Sequence, residues 1–263
     1  MSVSLDPMVK CVFFDPVSSV SVGSVVCSTG LIAMKKLDES LIAPLPPFRQ
    51  LGSAQIRAIL GLASPLRFDA DVTIFSEGHD AERFYLLLDG HIRVVRHTAE
   101  GEQIILLHIP PGQLFGIAAA LGRTTYPSSA VAAAECVALS WPMTIYHTFV
   151  TEYPGFATET YKMVGGRVEA MHTTIMEMAT KHVEQRIACA LLRLLQQGGK
   201  RTDRGIEIGF PVTRQNISDM TGTTLHTVSR LLSAWEKDCI LESKRKHVCV
   251  TNAHRLVELA EAG

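Results

Sequence analysis

The residues whose types and spacing suit a chemical task lie between Pro211 and Trp235, and they suit binding rather than catalysis. Thr213 can cap a short helix, Gly222 can supply the turn after it, and Thr224 can cap a second helix. Two helices joined by a short turn that contains glycine form a helix-turn-helix unit. This spacing therefore predicts a unit whose second helix can enter the major groove of DNA.

The second predicted helix has an apolar inner face and an outer face of small, polar and cationic side chains. The inward positions are Val228, Leu231, Leu232 and Trp235, and the outward positions are His226, Thr227, Ser229 and Arg230. Base edges and phosphates in a major groove require side chains of the outward kind. We therefore predict that this helix binds DNA.

The region around this unit is basic. Two apolar runs flank Lys244-Arg245-Lys246, which predicts a two-stranded wing with a basic tip. Residues 181–263 contain 13 Lys and Arg against 9 Asp and Glu, although the whole chain has a net charge of -1. A basic C-terminal region in a chain that is otherwise acidic favours a polyanionic partner.

Short apolar runs punctuated by glycine occupy the stretch from Leu66 to Trp141. Gly78, Gly90, Gly101 and Gly112 follow one another at intervals of 11 or 12 residues. Even turn spacing between short strands predicts an antiparallel roll or barrel ahead of the DNA-binding unit.

A long helix must connect the two regions, because apolar residues after Pro154 alternate in steps of three and four. The seam residues are Tyr161, Val164, Val168, Met171, Ile175 and Met178. Such a stripe is typical of a coiled coil and predicts a homodimer. A helix packed on its own domain is the alternative.

Composition excludes several classes of protein. Hydrophobic residues make up 47% of the 263 residues, and no apolar run reaches the roughly 20 residues that cross a bilayer. The six cysteines have no CxxC spacing and no secretory signal precedes them, so we expect a cytoplasmic protein without membrane contact. Phosphate-binding glycine loops, nucleophile elbows and a His-x-His metal motif are absent, so we expect no enzyme.

The stretch from Thr213 to Arg230 resembles the signature of the CRP/FNR superfamily of bacterial transcription regulators. The resemblance covers residues 48–256 and implies an α+β fold with three parts in order. These are an N-terminal antiparallel β-roll like those that bind cyclic nucleotides, a long dimerisation helix and a C-terminal winged helix-turn-helix. The implied domains are an N-terminal extension over 1–47, a sensor roll over 48–155, a dimerisation helix over 156–182 and a DNA-binding domain over 183–256. Met34 is an alternative start of the chain.

The resemblance also implies the partners and the DNA contacts. Members of the superfamily are homodimers that bind palindromic double-stranded DNA, and RNA polymerase is their expected partner. The positions that match the base-reading residues are His226, Ser229 and Arg230. The positions that match phosphate contacts are Thr213, Arg214, Gln215, Thr224, Thr227 and Lys246. Most members have glutamate where this chain has His226, so we expect an operator altered at one base pair.

The residues that the superfamily uses for two known effectors are missing. Ile117 and Pro127 stand where members that bind cyclic nucleotides have a glutamate and an arginine, so we expect no cAMP. Members with an iron–sulfur cluster have closely spaced N-terminal cysteines, whereas Cys11 and Cys27 are far apart, so we expect no cluster.

The stretch Leu121–Pro127 is similar to the subgroup that responds to nitric oxide or low oxygen and controls nitrite and nitric oxide reductase genes in denitrification. Haem is a possible cofactor, because an iron can bind a neutral diatomic gas and imidazole can be its axial ligand. The candidate ligands are His79, His91, His108 and His172. Each of them is otherwise a surface or core histidine. A transcription activator that is regulated by a cyclic nucleotide, or that needs no effector, remains the alternative.

Overall fold

The structure is a computed structural model, and it describes residues 38–261. Along the chain it contains a β-roll, a long helix, and a C-terminal domain of helices with a small sheet. This is the predicted α+β architecture, in the predicted order. The alternative start at Met34 and the cysteines Cys11 and Cys27 lie outside the described residues.

Two four-stranded antiparallel sheets form the roll, with strand orders β1-β8-β3-β6 and β2-β7-β4-β5. The strands are β1 (Ser64–Phe68), β2 (Thr73–Phe75), β3 (Arg83–Asp89), β4 (Ile92–His97), β5 (Gln103–Ile109), β6 (Leu114–Phe115), β7 (Ser129–Ala132) and β8 (Cys136–Pro142). The apolar runs predicted as strands are β2, β3, β4, β5 and β8. The sequence did not indicate β1, β6 or β7, because these strands are largely exposed, only two residues long, or made of small residues.

The four evenly spaced glycines all have the positive φ that a tight turn requires, between 81° and 88°. At Gly90 the turn between β3 and β4 also lies against the residues of the same chain that lead into β8. A Cβ added there would stand 2.4 Å from the backbone oxygen of Glu135. Glycine at this position is therefore required by conformation and by space.

Three short helices cover one side of the roll: α1 (Glu39–Ile42), α2 (Ser53–Gly61) and α3 (Tyr146–Glu152). Ile42 and Phe48 are buried in the same apolar cluster as Trp141. Residues 38–47 thus pack into the core of the roll. We had predicted that residues 1–47 form an extension outside the roll. Their apolar side chains alternate with prolines, a pattern that gives no helical or strand period.

The long helix α4 (Pro154–Thr180) begins with proline in its first turn, where a missing N–H costs nothing. It begins and ends two residues earlier than the predicted range 156–182. Lys181 is extended, with φ -103° and ψ 145°, and it separates α4 from α5 (Val183–Gly198). A short extended link between two helices lets the C-terminal domain take its own direction.

The C-terminal domain contains α5 and three further helices around a four-stranded sheet. Its other elements are β9 (Gly199–Thr202), β10 (Gly205–Ile208), α6 (Arg214–Thr221), α7 (Leu225–Lys237), β11 (Leu241–Lys244), β12 (His247–Val250) and α8 (Ala253–Glu261). The sheet has the order β11-β12-β10-β9, and β11 and β12 form the predicted wing. Leu256 and Ala260 of α8 are buried against α5, so the domain continues beyond the predicted boundary at 256.

The C-terminal domain packs directly on the roll. Val95 of β4 and Ile105 of β5 are buried in the same apolar cluster as Ile217 of α6. The ring of Phe210 stacks on His91 with centroids 3.9 Å apart. Across residues 38–261, no helix is long and apolar enough to cross a membrane.

Candidate nucleic-acid interface and effector cavity

The first helix of the helix-turn-helix, α6, begins at a complete capping arrangement. The Thr213 hydroxyl accepts a hydrogen bond from the N–H of Asn216 at 3.0 Å, and the Asn216 side chain accepts one from the N–H of Thr213 at 3.0 Å. Ile217 and Met220 face inward and are buried. The caps fix where α6 begins and therefore where Arg214 and Gln215 lie.

The turn between α6 and α7 is held by a glycine and two hydroxyl groups. Gly222 is left-handed, with φ 59° and ψ 42°, and the Ser218 hydroxyl donates to the backbone oxygen of Thr223 at 2.5 Å. Thr224 caps α7, because its hydroxyl accepts from the N–H of Thr227 at 3.2 Å. The turn and both caps have the geometry that the sequence predicted.

The outer face of α7 is free to meet a ligand. His226 and Arg230 are exposed, Ser229 is half-buried, and Val228 and Leu232 on the opposite face are fully buried. Within the described part of the chain, neither His226 nor Arg230 makes a hydrogen bond or an ion pair, so their polar atoms are available. An unpaired guanidinium on the exposed face of such a helix can donate two hydrogen bonds to O6 and N7 of guanine.

The predicted phosphate contacts are less free, because several already have partners in the protein. Arg214 Nη2 pairs with Glu236 Oε1 at 3.3 Å and donates to the Ser243 hydroxyl at 3.1 Å. Gln215 donates to Asp219 at 2.7 Å. The threonine hydroxyls serve as caps, and the Thr227 hydroxyl lies 3.0 Å from that of Thr224. Arg214 therefore also connects the start of α6 with the end of α7 and the wing.

Two polar residues of the DNA-binding unit are bonded to the roll. Lys246 at the tip of the wing pairs with Asp71 at 3.3 Å, and Asp219 of α6 accepts a hydrogen bond from Gln103 of β5 at 3.0 Å. Asp71 also pairs with Arg93 at 2.6 Å. Burial alone would raise the pKa of Asp71, but the hydrogen bonds and charges of Arg93 and Lys246 outweigh it and lower that pKa. In this arrangement the roll occupies part of the surface that a phosphate backbone would approach.

The seam residues of α4 separate into two groups. Tyr161, Val168, Ile175 and Met178 are exposed. Val164 and Met171 are half-buried and, with Val168, line a cavity between α4 and the roll. One part of the apolar stripe of α4 is thus exposed to solvent, and the other part faces the roll of the same chain.

The cavity beside α4 has a volume of about 270 Å³ and mostly apolar walls. Ile117 and Pro127, the positions at which the sequence lacks the charges of a cyclic-nucleotide site, both line it. Two arginines, Arg96 from the roll and Arg167 from α4, also line it. No sequence pattern pointed to Arg167, because a single arginine on a helix is ordinarily a solvated surface residue.

The four candidate haem ligands do not meet at this cavity. His79 and His172 are exposed, and none of the four lines the cavity. His91 and His108 are buried and both contact Phe210, with ring centroids 3.9 Å and 5.5 Å from it. Burial lowers the pKa of His91 to about 4 and that of His108 to about 3.

These positions do not fit a haem. The cavity offers no imidazole to an iron, and the two buried histidines belong to the contact between the roll and the C-terminal domain. Among the described residues, no group of three or more histidine, cysteine, aspartate or glutamate side chains is arranged to hold a metal ion. In this structure His79 and His172 are exposed and His91 and His108 pack against Phe210, and a ligand role for any of them stays a prediction.

Comparisons with known proteins agree with the order of the roll and the C-terminal domain along the chain. Residues 65–153 match the family described as cyclic nucleotide-binding domain, and residues 185–259 match the Crp-like helix-turn-helix domain. The two matches correspond to the roll and to the C-terminal domain. Both families occur in one chain, in the order that the structure has.

Individual relatives match over most of their length. The chain is 21% identical over 222 residues to the CRP-like cAMP-activated global transcriptional regulator of Mycobacterium tuberculosis, which covers 84% of this chain and 99% of that protein. It is 26% identical over 189 residues to the fumarate and nitrate reduction regulatory protein of Escherichia coli, which covers 72% of this chain and 75% of that protein. The solved structure of FixK2 from Bradyrhizobium japonicum has a TM-score of 0.67 at 23% identity and covers 75% of this chain and 96% of its own.

Proposed function

The chain belongs to the CRP/FNR family of DNA-binding transcription regulators, and we propose that two copies of it, joined along α4, bind a palindromic operator. In such a dimer each α7 would enter the major groove of one half-site, and the half-sites would lie about one helical turn, roughly 34 Å, apart. His226, Ser229 and Arg230 would then read base edges.

The observation that carries this proposal is the unpaired, exposed face of α7. Arg230 has no partner in the described part of the chain, while the apolar face of the same helix is fully buried. The exposed apolar residues of α4 support the dimer. A solvated stripe with four large apolar side chains along one helix favours burial against a second copy.

A selection of binding sites from random duplexes tests the proposal, followed by titration of the selected operator. We expect a palindromic site, and we expect Arg230→Ala to weaken specific binding by about 5- to 150-fold, because a good bidentate contact to guanine is worth about 1–3 kcal/mol. Arg57→Ala, which removes an equally charged side chain from α2 in the roll, is the matched control. Equal operator affinity of Arg230→Ala and Arg57→Ala would contradict the role of α7.

We also propose a response to nitric oxide or low oxygen with control of denitrification genes, through activation that involves RNA polymerase. Its support is the likeness of Leu121–Pro127 and of His226 to that subgroup. Because the described histidines do not fit a haem in the cavity, the proposal does not depend on haem at those positions. Transcription from the selected operator with purified RNA polymerase, with and without nitric oxide under anaerobic conditions, tests it.

The result of that experiment separates the alternatives. A change on addition of nitric oxide supports the proposal. A change on addition of cAMP supports an activator regulated by a cyclic nucleotide, and equal transcription under all conditions supports a regulator that needs no effector. An absorption spectrum of the anaerobically purified protein shows whether any iron cofactor accompanies the response.

A further inference from the structure

The cavity between the roll and α4 contains a positive charge that has no part in operator binding. Its lining, all of it within residues 38–261, contains two arginines and neither aspartate, glutamate, histidine nor cysteine. Arg96 is ion-paired with Glu77, at 2.5 Å between Nη2 and Oε1. Arg167 has no comparable partner. One cation of the cavity is therefore compensated and the other is not.

Arg167 is held by neutral groups. Its Nη2 donates to the backbone oxygen of Leu114 at 2.5 Å and to the side-chain oxygen of Gln113 at 3.2 Å. Its Nε is sealed from solvent without a hydrogen-bond partner, and no described carboxylate forms an ion pair with this arginine. Burial lowers the pKa of Arg167 to about 10, so the guanidinium keeps its charge at neutral pH. A partly buried charge without a counter-charge is costly, and an anion that entered the cavity would relieve this cost.

We propose that the cavity binds a small, mostly apolar monoanion whose charged group is received by Arg167. A guanidinium binds carboxylates through charge-assisted hydrogen bonds, and the aromatic and aliphatic walls provide for the remainder of such a molecule. The volume of about 270 Å³ is at the lower end of ligand sites, which favours a compact ligand. Ile117 and Pro127 offer no polar side chain to a ribose or a ring phosphate, which disfavours a cyclic nucleotide.

This inference rests on the proposed operator-binding dimer, because the helix that joins its two copies forms one wall of the site; it concerns a second ligand and not the proposed response to nitric oxide. Arg167, Val168 and Met171 are neighbours on α4 and all line the cavity. Val168 also lies on the exposed stripe that we assign to the dimer. A ligand on Arg167 would therefore contact the helix through which the two copies associate.

Calorimetric titration of the full chain with matched pairs of compounds tests the inference. The pairs are benzoate and benzamide, phenylacetate and phenylacetamide, and octanoate and octanamide, with cAMP as a further probe. We expect at least one carboxylate to bind ten times or more tightly than its own amide, because hydrogen bonds to a charged group are worth about 1.5–3 kcal/mol. In Arg167→Met that preference should fall to within about twofold. Arg96→Met, which removes the arginine already paired with Glu77, should retain it.

The inference is overturned if no carboxylate binds better than its amide, if cAMP binds better than every carboxylate, or if Arg167→Met keeps the preference. If Arg167→Met does not fold, Arg167→Lys is tested in its place, because lysine keeps the positive charge but cannot donate two parallel hydrogen bonds to a carboxylate. Its preference should then be several-fold smaller, and an unchanged preference overturns the inference. Operator binding by the wild-type chain is measured in parallel. Operator binding without a carboxylate preference removes this inference alone, whereas loss of operator binding contradicts the proposed function.

Discussion

His226 stands exposed in the first turn of α7, beside Thr227 and one helical turn before Arg230. A neutral imidazole offers one hydrogen-bond acceptor and a protonated one offers none, whereas a carboxylate only accepts. We therefore expect the side chain at this position to decide whether the amino group of a cytosine can be read.

We expect His226→Glu to change the selected operator at one base pair in each half-site, toward the sites of relatives that have glutamate there. Each mismatched base pair costs about 1–3 kcal/mol, so each protein should prefer its own operator by about 5- to 150-fold. Competition titrations with the two selected operators measure this preference. His254→Glu, an exposed histidine of α8, is the control and should leave the site unchanged. If His226→Glu and the wild type select the same sequence, His226 does not read a base.

The buried histidines His91 and His108 make a pH-dependent contribution to stability. Burial lowers the pKa of His91 to about 4 and that of His108 to about 3, from an ordinary value of 6.5. For His108 the nearby charge of Arg93 acts in the same direction, and for His91 that of Lys200 does. Between these values and pH 6.5 the unfolded chain binds more protons than the folded chain, so stability falls as the pH falls.

Replacing His108 by phenylalanine should therefore make stability less dependent on pH between about pH 6.5 and pH 3. The part that disappears is on the order of 5 kcal/mol, because the pKa of His108 falls from 6.5 to about 3 and one unit of pKa corresponds to about 1.4 kcal/mol. Denaturant unfolding at a series of pH values measures the slope. His172→Phe, at an exposed position of α4, should leave the slope as in the wild type. The same slope in His108→Phe would show that His108 is not a neutral buried group.

Much of the site could be predicted at this scale, because caps depend on local spacing. Thr213, Gly222 and Thr224 carry their roles in the order of the residues around them. The contacts of Arg214 could not be predicted in this way, since its partners Glu236 and Ser243 lie 22 and 29 residues further along the chain. Ion pairs between separate elements leave no periodic pattern, so the sequence indicated a phosphate contact and not a connection to α7.

At the scale of elements, long regular patterns predicted more than short irregular ones. The helix α4 has a proline at its start and an apolar stripe throughout, and its ends lie within two residues of the prediction. The hairpin of β9 and β10 was not predicted, because Gly199–Thr202 is exposed along its whole length and has no alternation of apolar residues. The hairpin exists because β10 pairs with β12 of the wing, which is distant in sequence.

The open stripe of α4 gives a prediction about assembly. Ile175 is 61% exposed, and a charge there would be buried without a partner if α4 pairs with a second copy. We expect Ile175→Glu to weaken dimerisation by more than tenfold and to lower operator affinity with it, since a dimer makes both half-site contacts. Sedimentation equilibrium measures the association.

Thr173→Glu is the matched control on the same helix. Thr173 is also exposed, but it lies two residues away and therefore on a different face. This variant should associate like the wild type. If Ile175→Glu associates as tightly as Thr173→Glu, the stripe is not the dimer seam, and α4 would serve its own chain alone.

For the whole molecule, the main finding is the contact between the roll and the DNA-binding unit. It comprises the stack of His91 on Phe210, the hydrogen bond from Gln103 to Asp219 and the ion pair of Lys246 with Asp71. These pairs join residues more than a hundred positions apart, and each partner is an ordinary core or surface residue by itself. Sequence patterns describe elements and their faces, so they could not predict which faces of two domains meet.

This contact should lower the affinity for DNA, because Lys246 of the wing and Asp219 of α6 are held against the roll. A protein whose competent state is only partly populated binds with its intrinsic affinity multiplied by that fraction. Asp71→Asn removes the charge that holds Lys246, and asparagine tolerates the positive φ of 66° at this position. We expect ligand-free Asp71→Asn to bind the operator several-fold more tightly than the wild type.

Asp69→Asn is the control for net charge, since Asp69 is exposed and forms no ion pair in the described part of the chain. Gln103→Ala breaks the second polar contact without any change of charge, and it should strengthen binding in the same direction. Because Asp71 also pairs with Arg93, thermal unfolding is measured alongside, so that a loss of stability is seen separately. If Asp71→Asn gains no more affinity than Asp69→Asn and Gln103→Ala gains none, the contact does not restrain the DNA-binding unit. The arrangement in which the roll and α6 meet would then be compatible with bound DNA.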